Sequence, residues 1–169
     1  MNLRRATPAD APGIAEAHVA SWQAAYRGLL PDAVLDNLSV AERQTMWAAR
    51  LATGPSNLWV TGLDGQVSGF ISSCPSRDAD LAPPEFAEIA ALYVRAEAWS
   101  TGCGYALCQA AFDDMRQASA QTAIVWVLTG NTRARRFYER VGFAPDGSTK
   151  DITLHHVTLP ELRYRRSLR

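Results

Sequence analysis

The chain has 169 residues, and its 17 Lys and Arg side chains balance 17 Asp and Glu, so the formal charge is zero. With 47% hydrophobic and 20% charged residues, the composition excludes a disordered or fibrous chain and suits one globular domain spanning 1–169. The zero balance lacks the basic excess with which a nucleic-acid binder neutralises many phosphates.

In chain order, Leu3 to Ala6 reads as a short strand, and Thr7-Pro8-Ala9-Asp10 opens a helix through a capping threonine, an early proline and an acid at the positive end. The stripe Ile14, Ala17, His18, Ser21, Trp22, Ala25, Tyr26, Leu29 keeps helical spacing until Gly28 and Pro31. Ser39-Val40-Ala41-Glu42 is a capping-box pattern, predicting a second helix to about Leu51. Leu58–Thr61 and Gln66–Ser73 flank Gly62-Leu63-Asp64-Gly65, whose Asp-Gly predicts a tight hairpin turn. A polar loop over about 75–84 leads to a strand over Phe86–Val94, then a helix over Gly102–Arg116. Ala123–Leu128 is an apolar run expected of a strand covered on both faces. Asn131–Arg140 reads as a helix, and Gly142-Phe143 restarts extended chain. The last strand is expected at Glu161–Leu168, after a loop holding His155 and His156. The order βααβββαβαββ describes an α/β domain with a mixed central sheet.

Cys74, Cys103 and Cys108 are odd in number and share no metal-ligand spacing with the three histidines, which points to a reducing compartment and no metal site. No run approaches about 18 apolar residues, and the chain starts without an apolar signal core; the expectation is a cytoplasmic protein with no membrane partner. The arginines at 163, 165, 166 and 169 read as one solvated strand face.

The stretch from Glu88 to Tyr105 is strand, loop with closely spaced glycines, then amphipathic helix. A helix start offers unpaired N–H groups to an anion, and glycines allow close approach. Gly102 and Gly104 serve equally well for tight packing alone. The loop lacks a phosphate-loop Lys-Ser/Thr and the dinucleotide fingerprint, so the usual nucleotide folds are not supported. Farther on, Asn131 stands at a helix start, with Ala134, Phe137, Tyr138 and Val141 on one face and Gly142 as the stop.

These two blocks, the glycine loop and the N-x-x-A-x-x-F-Y-x-x-x-G-F run from Asn131 to Phe143, resemble the GNAT superfamily of acetyl-CoA-dependent N-acetyltransferases. The first helix, with Ser21-Trp22 and Ala25-Tyr26 before Gly28, and the element order extend the resemblance over essentially the whole chain. The family loop usually begins with Gln or Arg; here Trp99 stands at that position. That substitution removes a side-chain contact to pyrophosphate and leaves the backbone amides of Ser100, Thr101, Gly102, Cys103, Gly104 and Tyr105. Arg133, Arg135 or Arg136 is placed to supply charge instead.

The resemblance implies that acetyl-CoA is the cosubstrate and that its pantetheine lies between splayed parallel strands at Glu88–Val94 and Ala123–Leu128. It would pair with the backbone of Leu92, Tyr93 and Val94, near Asn131 and Ala134. It puts the Leu92 N–H at the thioester carbonyl, where a fixed donor favours an oxyanion. Family members often use the tyrosine at the Tyr138 position as general acid and a glutamate at the Glu88 position as base. From the residues alone, Tyr138 is equally an amphipathic core tyrosine, and Glu88 equally a strand-end carboxylate or substrate anchor. An acyl-enzyme through Cys103 is disfavoured because no histidine stands beside it in sequence.

His18, Trp22 and Tyr26 share one edge of the first helix, either as core or as an aromatic wall facing a primary amine. The acidic loop Arg77-Asp78-Ala79-Asp80 is a second candidate for acceptor recognition. Three functions follow: acetylation of a small-molecule amine, acetylation of a protein amine, or acyl-CoA binding without catalysis. Family members are often homodimers.

Overall fold

The computed structural model describes residues 2–53, 57–63 and 65–169. Its core is a seven-stranded sheet in the order β1-β2-β3-β4-β5-β7-β6, with β1 at Asn2–Arg5, β2 at Leu58–Leu63, β3 at Gln66–Pro75, β4 at Phe86–Val94, β5 at Thr122–Leu128, β6 at Ala144–Leu154 and β7 at Val157–Ser167. The helices are α1 (Ala11–Ala25), α2 (Asp32–Asp36), α3 (Val40–Ala52), α4 (Cys103–Gln117) and α5 (Thr132–Arg140). This is the expected mixed α/β sheet, with one short helix, α2, in the segment after Pro31. Among the described residues no helix is long and apolar enough to cross a membrane.

Local chemistry sets the helix starts. Asp10 accepts from the Thr7 N–H at 2.7 Å and the Thr7 hydroxyl at 2.9 Å, closing a short 3-10 turn that leads into α1. Ser39 caps α3 by accepting from the Glu42 N–H at 3.2 Å. Asn131 caps α5 in the same way, accepting from the Ala134 N–H at 3.0 Å. The hairpin joining β2 and β3 forms with Leu63 opposite Gln66; Asp64 of its expected Asp-Gly turn lies outside the described residues.

Both faces of the sheet are covered. On one, Ile14, Ala15, Trp47, Leu51, Leu58 and Phe70 form a core under α1 and α3. On the other, Leu107, Cys108, Phe112, Val125, Val127, Tyr138 and Phe143 join α4 and α5 to the strands. A third cluster at the end of α1 joins Trp22, Leu30 and Leu35 to Leu154, Val157 and Leu159 of the β6–β7 hairpin.

Three expectations need correction. The loop expected to hold His155 and His156 shrinks to those two residues, the turn between β6 and β7, with φ of 46° and 68°. The final strand therefore starts at Val157, four residues before the expected Glu161. The C-terminal arginines are not one solvated face either. Arg163 is only 3% exposed and pairs with Asp78 at 2.9 Å, Asp80 at 2.7 Å and Asp146 at 2.8 Å. Three carboxylates around one guanidinium offset its desolvation, which an unpaired buried cation could not do.

Candidate active site

Strands β4 and β5 are parallel, but their ladder runs only from Phe86–Thr122 to Glu88–Ile124. Beyond it the two strands diverge. Against β3, Ser72 faces Ala91 and Ser73 faces Ile89, so Ala90 is an extra residue that kinks β4 just past the point of separation. The split opens a cavity of about 600 Å³ lined by β4, β5, the 98–105 loop, α5 and the end of α1.

At one end stands the start of α4. Gly102 is its N-cap with φ of 90°, a left-handed conformation that glycine adopts without a Cβ penalty. The first helical bond runs from the Ala106 N–H to the Gly102 carbonyl at 3.0 Å, so the Gly104 and Tyr105 amides precede the ladder at the positive helix end. The two glycines have different reasons. A Cβ on Gly102 would meet nothing, whereas one on Gly104 would come within 3.0 Å of the Phe137 ring. Gly102 thus shapes the loop, and Gly104 lets α4 and α5 approach.

Trp99 donates its indole N–H to the Val94 carbonyl at 2.8 Å, tying the loop to the end of β4. The Arg133 guanidinium lies 3.9 Å from the centre of the Trp99 ring. Both side chains line the cavity beside the α4 amides. Arg135 is committed elsewhere, to the Tyr164 hydroxyl at 3.0 Å and the Thr129 carbonyl at 3.2 Å.

Deeper in the split, Tyr138 comes off α5, is 6% exposed and lines the cavity between the strands. Burial holds its phenol well above the ordinary tyrosine range, with the neighbouring Cys108 and Tyr93 acting in the same sense. The ring is fixed edge-on against Phe143, with centroids 5.4 Å apart.

The far end is aromatic and charged. Trp22 packs edge-on to Tyr26 at 5.0 Å, and His18 stacks on Tyr93 at 4.8 Å. Ser21 Oγ and Trp22 Nε1 are buried without a hydrogen-bond partner among the described residues, and both residues line the cavity. Glu88 is 3% exposed; its Oε1 accepts from Arg77 Nη2 at 2.5 Å and its Oε2 from Arg77 Nε at 3.0 Å. Glu161 of β7, Lys150 of β6 and Trp126 of β5 complete this end.

Most residues singled out from sequence meet here. Glu88, Leu92, Tyr93, Val94, Trp99, Ser100, Gly102, Gly104, Tyr105, Asn131, Arg133, Ala134, Tyr138, Trp22 and Tyr26 all line one cavity. Thr101 and Cys103 do not: the Thr101 hydroxyl donates to the Ala98 carbonyl at 2.8 Å, and Cys103 is buried. In the acidic loop the two carboxylates are committed elsewhere, because Asp78 accepts from Trp126 Nε1 at 3.1 Å and, with Asp80, holds Arg163, while Arg77 lines the cavity. Arg77 belongs to the loop already singled out from sequence, whereas Lys150 and Glu161 were passed over. Their signal was present only as alternation along the late strands, which marks a face without saying what it faces.

The description of the acetyltransferase (GNAT) family matches residues 18–143. The chain belongs to this family of N-acetyltransferases. It is 29% identical over 168 residues to a probable N-acetyltransferase of Mycobacterium tuberculosis, covering 98% of this chain and 92% of that protein. Its fold is similar to the PaiA N-acetyltransferase of Thermoplasma acidophilum in complex with coenzyme A, with a TM-score of 0.76, 16% identity and 98% of each chain covered. It is also similar to YncA, a putative acetyltransferase from Salmonella typhimurium with its cofactor acetyl-CoA, with a TM-score of 0.71, 20% identity, and 100% of this chain and 94% of that one covered.

Proposed function

We propose that this chain transfers the acetyl group of acetyl-CoA directly to the primary amine of a small molecule. The observation that carries the reading is the ladder that stops at Glu88–Ile124, which leaves the edge of β4 facing a cavity that also receives the open amides of α4. Pantetheine pairs with the backbone of Leu92, Tyr93 and Val94 as an added strand, which needs no particular side chain. The pyrophosphate sits on the Ser100–Tyr105 loop, where helix-start amides favour an anion, and Arg133 supplies a full positive charge. Asn131 spends its side-chain oxygen on the cap, so its amide NH₂ is the group left for the cofactor.

The Leu92 N–H holds the thioester carbonyl and stabilises the oxyanion formed when the amine attacks. Tyr138 then protonates the leaving thiolate. Its neutral phenol at physiological pH fits a donor rather than a nucleophile. The acceptor lies against Trp22 and Tyr26. His155 packs edge-on to Trp22 at 6.4 Å, and Ile152 and Leu154 of the same hairpin line this end. Walls drawn from α1 and the β6–β7 hairpin favour a small amine over a protein chain. The Glu88–Arg77 pair and Glu161 face it as the charged groups.

The test is a titration of acetyl-CoA followed by thiol release across a panel of small amines and lysine peptides. Saturable binding with release confined to particular small amines is expected. Binding without release from any amine would favour a ligand sensor, and release with peptides alone would favour a protein acceptor.

A further inference from the structure

The acceptor end holds two glutamates, and they are not equivalent. Both oxygens of Glu88 are engaged by Arg77, whose main-chain N–H also points at Oε2 from 3.3 Å. Charge-assisted hydrogen bonds thus occupy both of its oxygens. Glu161 lies opposite Leu128 of β5 and Lys150 of β6, beyond the point at which the parallel ladder ends. It is 9% exposed, and its ion-pair contact is Lys150 Nζ at 3.9 Å, beyond hydrogen-bond length. The Lys150 ammonium is meanwhile 4.0 Å from the centre of the Trp126 ring. Glu161 is therefore a buried carboxylate on the cavity wall whose oxygens accept no hydrogen bond among the described residues and are open to a ligand.

We propose that Glu161 is the general base that takes the proton from the acceptor ammonium, with Glu88 and Arg77 positioning the acceptor. This assignment rests on the acetyl-transfer reading. The groups facing Glu161 are Lys150 from β6, Glu88 and Tyr93 from β4, Arg77 from the loop before β4, and Tyr26 at the end of α1. Burial raises its carboxyl above the usual glutamate value and Glu88 adds to the rise, while Lys150 and Arg77 oppose it. A raised carboxylate is the stronger proton acceptor, which suits a base working on an alkylammonium.

The protons balance. The ammonium gives one proton to Glu161, which passes it to solvent at the mouth, and the free amine attacks the thioester carbonyl. The C–N bond forms, the C–S bond breaks, and the thiolate takes the Tyr138 proton. The nitrogen's second proton returns to Tyr138 through water, and the third remains on the amide.

The test compares Glu161→Gln with Glu88→Gln over a pH series, using an amine the wild-type chain acetylates. In Glu161→Gln, kcat/KM near neutrality is expected to fall about 10²-fold. The acidic limb of the profile should vanish, activity should recover as pH nears the amine's own pKa, and acetyl-CoA affinity should stay within about twofold. Glu88→Gln should keep the acidic limb while raising the acceptor KM. An acidic limb retained by Glu161→Gln, or lost in Glu88→Gln alone, overturns the assignment. Carbon NMR titration of the Glu161 carboxyl reads the same claim without turnover: a midpoint above the ordinary glutamate range supports it, and an ordinary one overturns it. Failure of the wild-type chain to acetylate any amine would count against the transfer reading, with the carboxyl titration still deciding Glu161.

Discussion

Trp99 occupies a position at which the family usually places Gln or Arg, yet a cation still reaches the spot, carried on the Trp99 ring from Arg133 at 3.9 Å. Such a contact is worth about 0.5–1 kcal/mol at an exposed site, enough to bias where a long side chain rests. Replacing Arg133 with alanine is expected to weaken acetyl-CoA binding about tenfold, or ~1.4 kcal/mol, and to flatten its salt dependence, with kcat little changed. Arg135→Ala should leave affinity alone and lower stability, because that guanidinium serves Tyr164 and the Thr129 carbonyl. Calorimetric titration at two salt concentrations separates the two arginines; equal losses would place the charge elsewhere. At the reacting end, Tyr138→Phe should cut kcat about 10²-fold with acetyl-CoA affinity unchanged. Turnover equal to wild type would remove Tyr138 from the chemistry.

Among the elements, the approach of α4 to α5 and the β6–β7 turn are the informative places. Gly104→Ala would set a methyl group 3.0 Å from Phe137, a part of the packed helix pair with little room to give. We expect a loss of roughly 1–3 kcal/mol in urea unfolding. The turn at His155–His156 holds two non-glycine residues at positive φ. His156→Gly should relieve roughly 1 kcal/mol of that cost, seen as a rise of about 2–4 °C in the melting temperature. An unchanged or lower melting temperature would mean the side chain contributes more than the strain costs. That turn also shows where reading from sequence stops. Glycine, asparagine and proline announce turns, and the strands, caps and glycine loop were legible for that reason. His-His carries no such signal, so the hairpin read as a loop. The helix α2 was missed because five residues after a proline are too few for a periodicity to emerge. Arg163 and Glu161 are strand residues of ordinary charged type; only their neighbours across the sheet, Asp78, Asp146, Lys150 and the cavity, give them a role.

Across the whole molecule, the two faces of the sheet are covered differently, one by α4 and α5, the other by α1 and α3. His18 links the second face to pH. It accepts from Trp47 Nε1 at 3.1 Å and is buried, and that burial, aided by Arg43, lowers its pKa to about 4. The unfolded chain therefore binds a proton from about pH 6.5 downward while the folded chain resists until about pH 4, so stability falls as pH drops through that window. The loss should reach about 2 kcal/mol by pH 5. His18→Asn, which keeps an acceptor for Trp47 without titrating, should abolish that part of the decline in urea unfolding at pH 7 and pH 5; an equal decline in the variant would assign it to other groups. At the top of this scale stands direct transfer from acetyl-CoA to an amine in the split between β4 and β5. Rapid quench of chain, acetyl-CoA and an accepted amine, followed by mass analysis of both protein and amine, tests it most directly. One acetyl group on the amine for each thiol released, with no acetylated protein at any time, is the predicted result. Acetyl found on Cys103 or another side chain, or thiol release that does not depend on the amine, would contradict it.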